Sequence, residues 1–169
     1  MGQDSINKKI AQKLRRARRI LDIVCEDGDL ATDLAKALKK LVVGLDVSDA
    51  NFKKAEKAAK KKKVSPFVSC VRGDAQRLSF RKEEFDSVTL SYTLHHLENP
   101  LQALDEIRRI MKPKGKLVVV ECMIKEVRDK TTCCFYTLED LRKIIEESGF
   151  RNVRFEHLDE DNFLIEAVK

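Results

Sequence analysis

Apolar positions along the chain change period repeatedly, and the changes mark an alternation of helices and strands. Within residues 5–19, Ile6, Ile10, Leu14 and Ala17 recur at helical spacing, while Lys8, Lys9, Lys13, Arg15, Arg16 and Arg19 cover the other faces. Residues 20–24 (ILDIV) form a short apolar run of the kind buried in a parallel sheet. Residues 30–40 return to helical spacing, with Leu30, Leu34, Ala37 and Leu38 on one face. A strand is expected over 41–45, ending at Asp46, and then a helix capped by Ser48 or Asp49 and running to about Lys62.

The same alternation continues to the C-terminus. Strands are expected over 66–71 and 85–91, then a helix over 101–111 opened by Asn99-Pro100, a turn at 113–115, and a strand over 116–121. Thr137, with Asp140 three residues on, has the spacing of a capping box for a helix over 138–148, which Gly149 stops. Two strands, 153–158 and 163–168, close the chain around a hairpin-type turn. Strand–helix alternation predicts an α/β fold, doubly wound, with helices on both faces of a mostly parallel sheet. The last two strands lack a crossover between them, so they must pair antiparallel.

A doubly wound sheet binds ligands at the carboxyl ends of its strands. That edge carries residues 24–28, Asp46, Asp74, Ser91 and Glu121. Asp46 ends the second strand about 20 residues after the first turn, where a carboxylate can accept both hydroxyls of a ribose. The competing reading is a helix N-cap, a role open to Ser48 or Asp49 instead. Asp74 and Ala75 follow the third strand, where an acid and the next backbone N–H can meet an adenine edge. The competing reading there is an ordinary turn.

The run GDAQRLSFRKEEFDSVTLSYTLHHLENPLQALDEIRRIMKPKGKLVVVE (residues 73–121) resembles the type 11 class I S-adenosylmethionine (SAM) methyltransferases, including the ubiquinone/menaquinone branch. ILDIVCEDG (20–28), VVGLDVSDANFKKAEKAA (42–59) and YTLEDLRKIIEESGF (136–150) fall where that family's other motifs belong, so the resemblance covers about residues 19–169. It implies a three-layer, Rossmann-like methyltransferase sheet in the order 3-2-1-4-5-7-6 with strand 7 antiparallel. It implies SAM as cofactor and direct SN2 transfer to a small-molecule acceptor. Carried over residue by residue, Asp22, Val24 and Gly28 would meet the methionine part and Asp46 the ribose. Val47, Asp74 and Ala75 would meet the adenine. Ser91 would offer its carbonyl to the methionine amino group, with His96 nearby.

One motif departs from the family. Its first loop usually reads D-x-G-x-G-x-G, and here Val24 and Glu26 replace two of the glycines, leaving Gly28. Glycine in such loops permits unusual φ and close backbone approach. Weak SAM binding, a rearranged loop or lost activity is therefore the expectation attached to Val24 and Glu26. A binding or regulatory protein that kept the fold and lost the reaction is the corresponding alternative.

Composition narrows the remaining classes. The chain has 169 residues, 43% hydrophobic, enough for one cored domain, here divided as a basic N-terminal helix (1–18) and the methyltransferase-like domain (19–169). No apolar run reaches the ~20 residues of a membrane span, so a cytoplasmic protein with no membrane partner is expected. Cys25, Cys70, Cys122, Cys133 and Cys134 are scattered and odd in number, which argues for reduced thiols, and no metal site is expected. The net charge of +6 is concentrated toward the N-terminal half. It raises nucleic acid as a partner, which is not favoured because no aromatics interleave with the lysines. The [DNS]PP[YFW] tetrad of amino-directed nucleic-acid methyltransferases is also absent, the corresponding stretch reading SYTL. The expectation leaves room for a homo-oligomer.

Overall fold

The computed structural model describes residues 2–122 and 136–169. Cys133 and Cys134, two of the five cysteines expected to be reduced, lie outside the described residues. The elements are α1 (Gln3–Leu14), β1 (Arg19–Ile23), α2 (Asp29–Leu38), β2 (Leu41–Asp46), α3 (Asp49–Lys61), β3 (Val68–Arg72), β4 (Phe85–Ser91), α4 (Pro100–Ile110), β5 (Met111–Cys122), α5 (Leu138–Glu147), β6 (Arg151–His157) and β7 (Asn162–Val168). The seven strands form one sheet in the order β3-β2-β1-β4-β5-β7-β6. The pairs among β1 to β5 are parallel, and β7 runs antiparallel to both β5 and β6. This is the order and direction expected from the resemblance.

The sheet is buried on both faces, which is why its central strands read as continuous apolar runs. On β5, Leu117 and Val119 enter one core with residues of α4 and α5, while Val118 and Val120 enter the other with α1 and α2. Ile6, Ile10, Ala11 and Leu14 of α1 lie within that second core. Lys9 and Lys13 on the outer side of α1 bond to Glu156 and Glu166 of the terminal hairpin. Thr137 caps α5 with the full capping box, its hydroxyl oxygen accepting the Asp140 N–H at 3.1 Å.

Local details differ from expectation. Residues 65–67 form a 3-10 turn before β3, since Pro66 cannot donate to a sheet ladder. The expected turn at 113–115 is a bend within β5, whose pairing with β4 shifts register there. Gly115 is needed at that bend, because a Cβ would come within 2.8 Å of the Lys112 carbonyl oxygen. Among the described residues no helix is long and apolar enough to cross a membrane. Cys25 and Cys70 are free thiols, but Cys122 is disulfide-bonded, so the reduced-thiol expectation fails at that position.

Candidate active site

The carboxyl ends of β1, β2, β4 and β5 gather the polar groups that sequence reasoning singled out. Asp22 lies in β1, 2% exposed. Its Oδ1 accepts the Thr89 hydroxyl from neighbouring β4 at 2.9 Å, and its Oδ2 is buried with no hydrogen-bond partner. Burial disfavours the charged form, and the carboxyl is pushed up to about 7 against the opposing pull of the Thr89 hydroxyl. Ser91, at the end of β4, likewise has a buried hydroxyl without a partner. Its carbonyl accepts the Thr93 hydroxyl at 3.0 Å.

The loop after β1 keeps a left-handed backbone without its glycines. Val24 has φ +56° and Glu26 φ +45°, with Gly28 at +80°. A non-glycine residue in that region costs about 1–2 kcal/mol, so the conformation must be imposed from outside. Three bonds impose it. The Cys25 N–H donates to the Leu45 carbonyl at 3.0 Å, the Glu26 N–H to Asp46 Oδ2 at 3.0 Å, and the Gly28 N–H to the Cys25 carbonyl at 2.7 Å. Gly28 is also a packing requirement, because a Cβ there would come within 2.5 Å of the Ala55 Cβ on α3. The Val24 side chain packs partly into the core, and Glu26 is exposed.

Asp46 is buried, and protein donors already use much of its capacity. Oδ2 accepts from the Glu26 N–H and from Asn51 Nδ2 at 3.2 Å, and Oδ1 accepts the Ser48 N–H at 2.9 Å. Ser48 is the N-cap of α3 but makes no side-chain capping bond. Asp46 therefore ties the first loop to the start of α3, and one lone pair on Oδ1 stays available for a ligand hydroxyl. Val47 beside it is 65% exposed. Asp74 is exposed, with Oδ1 accepting the Gln76 N–H at 2.8 Å, and Ala75 is buried.

The turn after β4 separates the two histidines. His96 is exposed. His95 is the buried one, with its Nδ1 2.6 Å from Glu121 Oε2 and side chains 5% and 2% exposed. Tyr92, which opens this turn at φ +53°, donates its hydroxyl proton to Asn162 Oδ1 at 3.0 Å. Burial and the charges of Asp159 and Glu121 push the Tyr92 phenol up to about 12. The Tyr136 phenol is raised by burial and by Glu121 and Asp140. Sequence reasoning put Glu121 on this edge without a role and passed over Thr89 and Asn51. For Glu121 the signal was present, an acid ending a wholly apolar run.

The residues matched by a family model described as "Methyltransferase domain" are 21–119. Against the demethylmenaquinone methyltransferase of Lactiplantibacillus plantarum the chain is 31% identical over 170 residues, covering 81% of this chain and 72% of that enzyme. Several other quinone-methyltransferase relatives are spanned over only about half their length. Two solved structures share the fold at low identity. The [4+2]-cyclase SpnF superposes with a TM-score of 0.89 at 20% identity, over 98% of this chain and 80% of that one. A SAM-dependent methyltransferase from Aquifex aeolicus gives 0.79 at 22%, over 99% of both chains.

Proposed function

Because the chain belongs to the methyltransferase-domain family, we propose that its strand-end site binds SAM and transfers the methyl group to a small-molecule acceptor. The observation that carries this is the pair of buried, unpartnered polar atoms, Asp22 Oδ2 and Ser91 Oγ, on adjacent strands β1 and β4. Buried polar atoms are almost always bonded, and two orphans at one sheet edge suit a ligand with donors. A methionine ammonium is such a ligand.

The other groups suit the rest of the cofactor. The left-handed backbone at Val24, Glu26 and Gly28 supports the methionine cradle in the absence of two glycines. Asp46 would take one ribose hydroxyl on its remaining Oδ1 lone pair, fewer than the two that a free carboxylate could accept. Val47, Asp74 and Ala75 would flank the adenine, and His96 would stand at the exposed rim near the methionine part. Bound SAM supplies an electrophilic methyl carbon on a sulfonium. The chain's part is to align that carbon with the acceptor and to exclude water, which can account for much of the rate. The relatives' names support an acceptor of the quinone class. A cytoplasmic location belongs to the same reading.

Isothermal titration with SAM and with S-adenosylhomocysteine (SAH) tests it. Micromolar dissociation constants are expected for both. Absence of binding of either up to millimolar concentration overturns the cofactor assignment, and with it the enzymatic reading.

A further inference from the structure

Gly44 on β2 makes room for two thiols. It pairs with Cys70 of β3 in the parallel ladder, and the position its Cβ would take lies 2.8 Å from Cys25 Sγ and 3.8 Å from Cys70 Sγ. Even a methyl there would press on Cys25, and without one the two sulfurs meet over the glycine. The Cys25 thiol donates a hydrogen bond to the Cys70 sulfur. That bond pulls Cys70 below the usual thiol range, against burial and the charges of Glu56 and Asp46, and together with burial it pushes Cys25 above the range. The two also differ in access. Cys25 is 5% exposed, whereas Cys70 is half-buried and opens onto a surface cleft beside Glu56 and Lys60 of α3. A reachable, more acidic sulfur beside a buried one is the arrangement of an attacking and a resolving cysteine.

Cys25 also stands in the first loop, between Val24 and Glu26 at their positive φ. Its N–H bonds to the Leu45 carbonyl and its own carbonyl takes the Gly28 N–H. A disulfide draws its sulfurs to about 2.05 Å, closer than two separate thiols approach. Because β3 is held in its ladder with β2, the loop is the part that moves.

We propose that Cys25 and Cys70 form a disulfide when they meet a low-molecular-weight disulfide such as oxidised glutathione, and that this bridge weakens cofactor binding at the first loop. The second half rests on the methyltransferase reading above. The Cys70 thiolate attacks one sulfur of the small disulfide, whose S–S bond breaks and releases a thiolate. Cys25 then attacks the Cys70 sulfur of the mixed disulfide, its proton passes to the departing sulfur, and a small thiol leaves. Two protein thiols are thereby oxidised, and one small disulfide is reduced to a thiolate and a thiol.

The competing role for the pair is packing, as two small apolar residues beside a glycine. The whole chain, reduced with dithiothreitol and moved into oxidised glutathione, is digested without reduction for mass spectrometry. A peptide pair joined through Cys25 and Cys70 is expected, and its absence overturns the proposal in favour of packing. Calorimetric titration with SAH should give the oxidised protein a dissociation constant at least about tenfold above that of the reduced one, restored by dithiothreitol. C70S removes the attacking sulfur and keeps the other four cysteines. It should bind SAH within about threefold of reduced wild type before and after the oxidant. A smaller change in oxidised wild type, or an equal loss in C70S, overturns the coupling of this bridge to the cofactor loop. If reduced wild type fails to bind SAH, the methyltransferase reading has failed instead, and the joined peptides still decide the bridge.

Discussion

Asp22 and Glu121 are buried to the same degree at the same edge of the sheet, and their surroundings are opposite. Glu121 has a partner for each oxygen, one from the backbone and one from a ring. Asp22 has one side-chain partner, and its second oxygen makes no hydrogen bond, although the Ala31 N–H at the start of α2 lies close enough to favour the charged form. Strand alternation also puts them on different faces, Asp22 toward the α1–α2 layer and Glu121 toward the α4–α5 layer. The adjoining turns differ in the same sense. The loop after β1 holds two non-glycine residues at positive φ, and the turn after β4 holds one. A satisfied carboxylate builds structure, whereas an unsatisfied one beside a strained loop lowers stability until a ligand arrives.

The largest effect expected from this contrast is at Glu121. E121A strips the Leu94 N–H and the His95 ring of their acceptor inside the protein, and should lower stability by about 2–4 kcal/mol in urea denaturation. A loss below about 1 kcal/mol would mean that the two carboxylates are not different in kind.

D22N should act in the opposite direction. Asp22 titrates at about 7 in the native state against 3.8 ordinarily, so between these values the native state binds more protons than the unfolded chain. Native stability therefore falls as pH rises from about 4 to about 7, and the penalty is complete above that. D22N should gain on the order of 2 kcal/mol at pH 8 and nothing below pH 4, measured by urea denaturation across pH. It should also bind SAH at least about tenfold more weakly, the loss of one charge-assisted contact. A destabilised D22N at pH 8 would make Asp22 a structural group like Glu121.

The smallest effect sharpens the comparison of the loops. E26G relieves a left-handed glutamate that is exposed and makes no core contact, against the entropy a glycine adds to the unfolded chain. A net gain of about 0.5–1 kcal/mol is expected, or roughly 2–3 °C in Tm by calorimetry. No gain would show that the bonds from Asp46 and Leu45 hold the loop without strain.

The cofactor-loop departure shows where reading by residue type stops. Val24 and Glu26 suggested a rearranged loop, since neither residue favours positive φ. The backbone is nonetheless left-handed at both, because the Glu26 N–H reaches Asp46 and the Cys25 N–H reaches Leu45. Both partners lie about 20 residues away on β2, beyond what local propensity can report. The SpnF likeness carries a related warning, since a shared fold of this kind also serves a protein named for cyclisation.

By itself the sequence determined the order and kind of elements. Apolar period, the Thr137–Asp140 cap and the missing crossover before β7 are local properties that survive in any compact state of this chain. It also determined the family, through the run over 73–121. Tertiary structure decided which polar groups are satisfied. Asp22 interrupts an apolar strand and Asp46, Ser91 and Glu121 end one, with nothing in the apolar pattern to rank them. Only packing of β1 against β4, of the first loop against β2, and of the histidine turn against β5 gives Asp46 three donors and Glu121 two, and leaves Asp22 Oδ2 and Ser91 Oγ with none. Hydrogen-bond satisfaction is a property of neighbours in space, and for buried groups it sets both the cost of charge and the capacity to hold a ligand.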